Sequence, residues 1–160
     1  DPTLLLQSSD YSKLCENIER RDAFVFAYIL DTRDCILDEI NEYANKRRLP
    51  VLIKRAGREL DDSDSVELWL SLFRDAAFVI TDSFHGTAFS INFNRDFLVL
   101  GNEERGNSRF SSLLSVFNLT DRMVEHVNNQ APPIDWSIVN SILMSERQRS
   151  LEWLKNAIRN

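Results

Sequence analysis

Strand-length apolar runs alternate along this chain with segments whose apolar residues recur at helical spacing. The first run is "AFVFAYIL" (Ala23 to Leu30). It precedes "RDCILDEINEYANKRR" (Arg33 to Arg48), where Ile36, Leu37, Ile40 and Tyr43 share one face and Asp31 or Thr32 is placed as a cap. "PVLIKR" from Pro50 is a short strand. "DSVELWLSLFRDA" (Asp64 to Ala76) follows as a helix with Val66, Trp69, Leu70 and Phe73 in register. "AFVITD" leads into the helix "HGTAFSINFN", and "DFLVLG" (Asp96 to Gly101) leads into "SRFSSLLSVFN" (Ser108 to Asn118). "DRMVEHV" is a last short strand, and Trp136 to Asn160 reads as one long or broken helix. Strands that are apolar throughout need cover on both faces, and the alternating helices supply it. The expected fold is therefore α/β: one Rossmann-like, three-layer domain with a parallel sheet and helices on both faces.

A chain of 160 residues is long enough for one full core. Its 43% apolar and 28% charged residues are those of an ordinary globular protein. A net charge of −6 counts against a nucleic-acid partner, which would need a basic face to neutralise phosphates. No apolar run nears the ~18 residues of a membrane span, and the signal-peptide pattern is missing. Cys15 and Cys35 form neither a metal spacing nor a disulfide framework, which fits a reducing compartment. His85 and His126 are the only histidines, and with scattered carboxylates they give no metal-ligand spacing. The start, "DPTLLL" without a methionine, is read as a cut within a longer protein, so a preceding domain is expected.

In open parallel sheets ligands bind beyond the carboxyl ends of the strands. Asp82 to Gly86 and Gly101 to Asn107 both fall there, and neighbouring strands would turn the two loops toward one crevice. At the first loop, Ser83 is placed to cap a helix whose free N–H groups and dipole favour an anion. Gly86 would let a ligand approach the backbone, and Thr87 adds a hydroxyl. His85 at the rim can move a proton near neutral pH. The same residues also read as a plain capped helix start with a first-turn histidine. A serine-nucleophile reading fails because Ser83 lacks the flanking glycines of a nucleophile elbow, and no G-x-G-x-x-G follows any strand. At the second loop, "EERGNSRF" sets Arg105 and Arg109 around Gly106, Asn107 and Ser108. Ser108 is placed to cap, and arginines can grip phosphate or carboxylate in bidentate fashion. The alternative there is a solvated loop, offset by Glu103 and Glu104. "KRAGRE" (Lys54 to Glu59) is a third basic stretch after a strand, and His126 takes no assigned role.

"ELWLSLFRDAAFVITDSFHGTAFSINFNRDFLVL" resembles the signature region of the polysaccharide pyruvyl transferase family. "DPTLLL", "RGNSRFSSLLSVFNLTDR" and "RSLEWLKNAI" extend the resemblance over nearly the whole chain. It implies the C-terminal, donor-binding half of a two-domain fold similar to the GT-B glycosyltransferases. On that reading residues 1–20 are an interdomain lead-in, and 136–160 form a helical tail that packs toward the N-terminal domain.

The implied activity is transfer of an enolpyruvyl-derived group from phosphoenolpyruvate to a glycan or lipid-linked sugar, giving a pyruvate ketal on a surface or exported polysaccharide. No cofactor is implied beyond that donor substrate. The implied setting is bacterial exopolysaccharide synthesis, in the cytoplasm or at the inner face of the membrane. By the resemblance His85 matches the family's functional histidine, a general acid toward the donor's methylene carbon. Ser83, Gly86 and Thr87 would line the donor anion site, with Arg105, Asn107, Ser108 and Arg109 completing it. Some members have an arginine where this chain has Ser83, so Arg105 or Arg109 is the expected grip on the phosphate. Two other readings stay open: a glycosyltransferase using a nucleotide sugar on the same architecture, and a non-catalytic sugar- or partner-binding domain. Under either enzyme reading the chain alone is expected to be inactive, because a cleft needs both walls.

Overall fold

A computed structural model describes residues 1–31, 34–55, 65–101, 107–127 and 131–159. Five strands, β1 (Val25–Ile29), β2 (Val51–Arg55), β3 (Phe78–Thr81), β4 (Asp96–Leu100) and β5 (Met123–Val124), form one sheet in the order β2-β1-β3-β4-β5. Every pairing is parallel, from Val25 against Val51 at one side to Leu100 against Val124 at the other. The helices are α1 (Ser8–Leu14), α2 (Asp34–Arg47), α3 (Val66–Asp75), α4 (Phe84–Asn92), α5 (Ser108–Val116) and α6 (Trp136–Arg159). The alternation read from the sequence is thus the alternation that folds, with one strand at each expected run. Residues 1–20, expected as an interdomain lead-in, carry α1 and a 3-10 turn at Pro2–Leu4.

Successive side chains of a strand point to opposite faces, which splits the core in two. Phe26, Val79, Phe97 and Val99 pack with Phe73 of α3, Phe89 of α4, Leu114 of α5 and Leu143 of α6. On the other face Val25, Ala27, Ile29, Ile80, Leu98 and Leu100 pack with Ile36, Ile40, Tyr43 and Ala44 of α2. Edge-to-face aromatic contacts lock the first core: Phe73 lies 4.9 Å from Phe26 and 4.7 Å from Trp69, centroid to centroid. Deleting such a ring costs about 3–5 kcal/mol.

The chain steps from β1 to β2 in one direction, and from β3 through β4 to β5 in the other. Crossovers of one hand put their helices on opposite faces when the direction reverses, as α2 and α3–α5 are here. The strand order thus reverses between β1 and β3, the place in open parallel sheets where ligands bind beyond the carboxyl ends.

The lead-in is stapled to this frame. Asn92, at the end of α4, donates to the carbonyls of Thr3 at 3.2 Å and Leu6 at 3.1 Å. Arg147 of α6 donates to Leu4 O at 2.6 Å, Leu6 O at 2.8 Å and Asn92 Oδ1 at 3.0 Å. Buried Arg74 donates to Cys15 O at 2.6 Å and Ile18 O at 3.1 Å, and to both oxygens of Asp75. The first half of α6 buries Val139 and Leu143, whereas Trp153 and Ile158 beyond it are 71% and 76% exposed. Among the described residues no helix is long and apolar enough to cross a membrane.

Candidate active site

β3 ends at Thr81, and the next four residues build the start of α4. Thr81 Oγ1 donates to Tyr28 O at 2.6 Å and accepts from Ser83 N at 3.0 Å, so the turn is tied to β1 as it leaves the sheet. Asp82 is buried and accepts from the N–H groups of Leu30 at 2.6 Å and Asp31 at 2.9 Å. Its carboxylate therefore pins the loop after β1 against the loop after β3, at the point where the strand order reverses. Burial pushes the Asp82 carboxyl up, against the two N–H groups that favour its ionised form.

Ser83 caps α4 as expected, accepting from Gly86 N at 3.2 Å. The next two expected residues turn inward. Thr87 is fully buried, and its hydroxyl donates to Ser83 O at 3.0 Å. Gly86 is buried against Thr81, where a Cβ would stand 2.4 Å from Oγ1. Its missing side chain makes room for the strand beneath. These residues shape the helix start from beneath. Among the described residues no group accepts from the N–H of Phe84 or of His85, which leaves two donors at the positive end of α4. His85 is the outward residue of the turn, with its side chain 57% exposed.

β4 runs beside β3, so α5 starts beside α4. Asn107 holds the cap position of α5 without a side-chain cap bond, and Ser108, expected as the cap, is instead the first helical residue. Asn107 packs over Gly101, its amide 3.5 Å from where a Cβ would sit. The Arg109 guanidinium stacks on the half-buried Phe84 ring, 4.5 Å from its centroid. Phe84 also touches His85, with ring centroids 6.0 Å apart. An arginine of the second loop region thereby meets the histidine turn of the first. Arg105 lies outside the described residues, as does most of the third basic stretch.

Two partners escaped the sequence reading. Phe84 is the platform that brings Arg109 to the site, and nothing in the local pattern separates it from a core phenylalanine. Asp1, at the far end of the chain, places Oδ2 3.7 Å from His85 Nε2. His126 sits on the surface, its Nδ1 2.9 Å from Glu39 Oε1, remote from these groups in sequence and in role.

The ledge around His85 is open. A hollow of about 540 Å³ lies elsewhere, between the lead-in and α6 at Leu5, Met144, Arg147 and Leu151. No group of three or more His, Cys, Asp or Glu poised for a metal occurs among the described residues.

Fold and ledge together define an open parallel α/β domain with an exposed histidine on the helix start after β3, beside the reversal of strand order. The chain belongs to the polysaccharide pyruvyl transferase family, whose model matches residues 1–104. The matched span holds Asp1 and His85 and ends before Arg105 and Arg109, short of the downstream pieces that extend the resemblance. No curated protein and no solved structure matched the chain.

Proposed function

We propose that this chain is the donor-binding half of an enzyme that moves a pyruvyl group from phosphoenolpyruvate to a sugar of a surface or exported polysaccharide. The supporting observation is one exposed histidine on a helix start with two N–H donors that no described residue takes up, beside an arginine whose guanidinium lies over the Phe84 ring. The donor carries a phosphate and a carboxylate, and these groups match the N–H pair and the Arg109 guanidinium. Arg109 takes the phosphate grip that Ser83 does not supply. The proposed donor site extends to Asn107 and Ser108 at the start of α5 and, by the family resemblance alone, to Arg105.

In the proposed reaction the His85 imidazolium gives its proton to the methylene carbon. A sugar hydroxyl oxygen then bonds to the adjacent carbon. A second hydroxyl closes the ketal as the C–O bond to phosphate breaks. Of the two hydroxyl protons, one restores His85 and the other leaves with phosphate. N–H donors fixed beforehand stabilise charge without reorganising, and a histidine suits proton transfer near neutral pH. The groups that activate the acceptor hydroxyls and the second wall of the cleft are expected from another domain, so the chain alone is expected to be inactive.

In the full-length protein, His85→Ala should keep the fold and cut turnover about 100-fold or more. Unchanged turnover would remove His85 from the chemistry. Calorimetry should show binding of phosphoenolpyruvate. Binding of a nucleoside diphosphate in its place would favour a nucleotide-sugar donor instead.

A further inference from the structure

We infer that Asp1 is a positioning residue for His85, holding the Nε2 edge of the ring and leaving Nδ1 as the nitrogen that works on the donor. The inference rests on the reading of His85 as the proton donor. Asp1 caps the 3-10 turn Pro2–Leu4, and its Oδ1 accepts from Thr3 N at 2.8 Å and from the Thr3 hydroxyl. With Oδ1 taken by Thr3, it is Oδ2 that faces His85 Nε2, at 3.7 Å. The Asp1 side chain is only 13% exposed, against 57% for His85, so the fixed, shielded partner is the carboxylate.

The turn is fixed in its own right. Asn92 and Arg147 bind the carbonyls of Thr3, Leu4 and Leu6. Helix α4 therefore carries the histidine at its first turn and, at its last residue, a staple for the segment that bears Asp1. A separation of 3.7 Å exceeds a hydrogen bond, and the contact becomes an ion pair when the imidazole is protonated. Facing the carboxylate, Nε2 is the ring nitrogen on which the N–H is favoured. The partner of one imidazole nitrogen sets the state and aim of the other.

The test uses the full-length protein and Asp1→Asn, which keeps an oxygen for Thr3 and removes the charge. Long-range ¹H–¹⁵N spectra of labelled histidine report which nitrogen of the neutral ring carries the proton. The Nε2–H form should dominate in the parent protein and give way to a mixture in Asp1→Asn. Turnover should fall about tenfold while KM for phosphoenolpyruvate changes less than about twofold. Asp1→Glu should recover part of the loss, and Thr3→Val, which frees Oδ1 from the hydroxyl, should show a smaller fall in the same direction. Spectra unaltered by Asp1→Asn, with His85 still essential, would overturn the pairing alone. Turnover indifferent to His85→Ala would overturn the inference through its premise.

Discussion

Gly86 and Thr81 are packed so closely that a Cβ on the glycine would stand 2.4 Å from the threonine Oγ1 and 3.1 Å from its Cβ. The oxygen has nowhere cheap to go, because it donates to Tyr28 O and accepts from Ser83 N. Alanine favours a helix by up to ~1 kcal/mol over glycine, yet forced overpacking of a core costs about 1–3 kcal/mol. Gly86→Ala should therefore destabilise the fold by about 2 kcal/mol in chemical denaturation. In a double-mutant cycle, Thr81→Ala should recover part of that loss.

Asp75 makes stability depend on acid. Burial pushes its carboxyl up, but hydrogen bonds and charge from Arg74, the Arg21 N–H and the Arg20 charge together outweigh it, and the net shift is downward. A lowered folded-state value means stability that is present above the ordinary aspartate range and lost as pH falls through the lowered value. Its side chain is 1% exposed, so solvent screens the pair with Arg74 little. Asp75→Asn leaves Arg74 buried without its counter-charge and should cost about 3 kcal/mol near neutrality. That gap should narrow in acid as the parent's own carboxylate protonates. Denaturation curves at several pH values will show whether it does.

Asn92→Ala removes the amide that holds the lead-in carbonyls of Thr3 and Leu6. The expected cost is about 1–2 kcal/mol. Amide exchange over residues 3–6 should quicken while exchange in the strands stays slow, because the staple lies outside the sheet. Uniform acceleration across the domain would show that the lead-in is part of one cooperative unit instead.

Arg109→Ala should raise KM for phosphoenolpyruvate about tenfold in the full-length protein, and the parent's affinity should weaken as salt rises. Phe84→Leu keeps the apolar volume near the core but removes the flat platform under the guanidinium. It should reproduce part of the Arg109 loss. An unchanged KM in both variants would take Arg109 out of the donor site.

Much of the architecture is legible because burial repeats with a short period. In "AFVFAYIL", Phe26 and its neighbours Val25 and Ala27 face opposite cores, and such a run cannot rest on a surface. Ser83 as the cap of α4 is equally local, since the group it satisfies is three residues away. Thr87 and Gly86 read differently once folded. The local pattern offers a bare backbone and a hydroxyl, and the fold packs the first against Thr81 and bonds the second to the Ser83 carbonyl.

By itself, then, the sequence determined the strand–helix alternation, the cap at Ser83 and the place of His85 at a helix start, all set by contacts a few residues apart. Only the tertiary structure decided that the strand order reverses between β1 and β3, that Asp82 ties their loops together, and that Phe84 carries Arg109. It alone brought Asp1 to His85. Those relations join residues far apart along the chain, and packing of the sheet and its helices sets them where no local spacing records them.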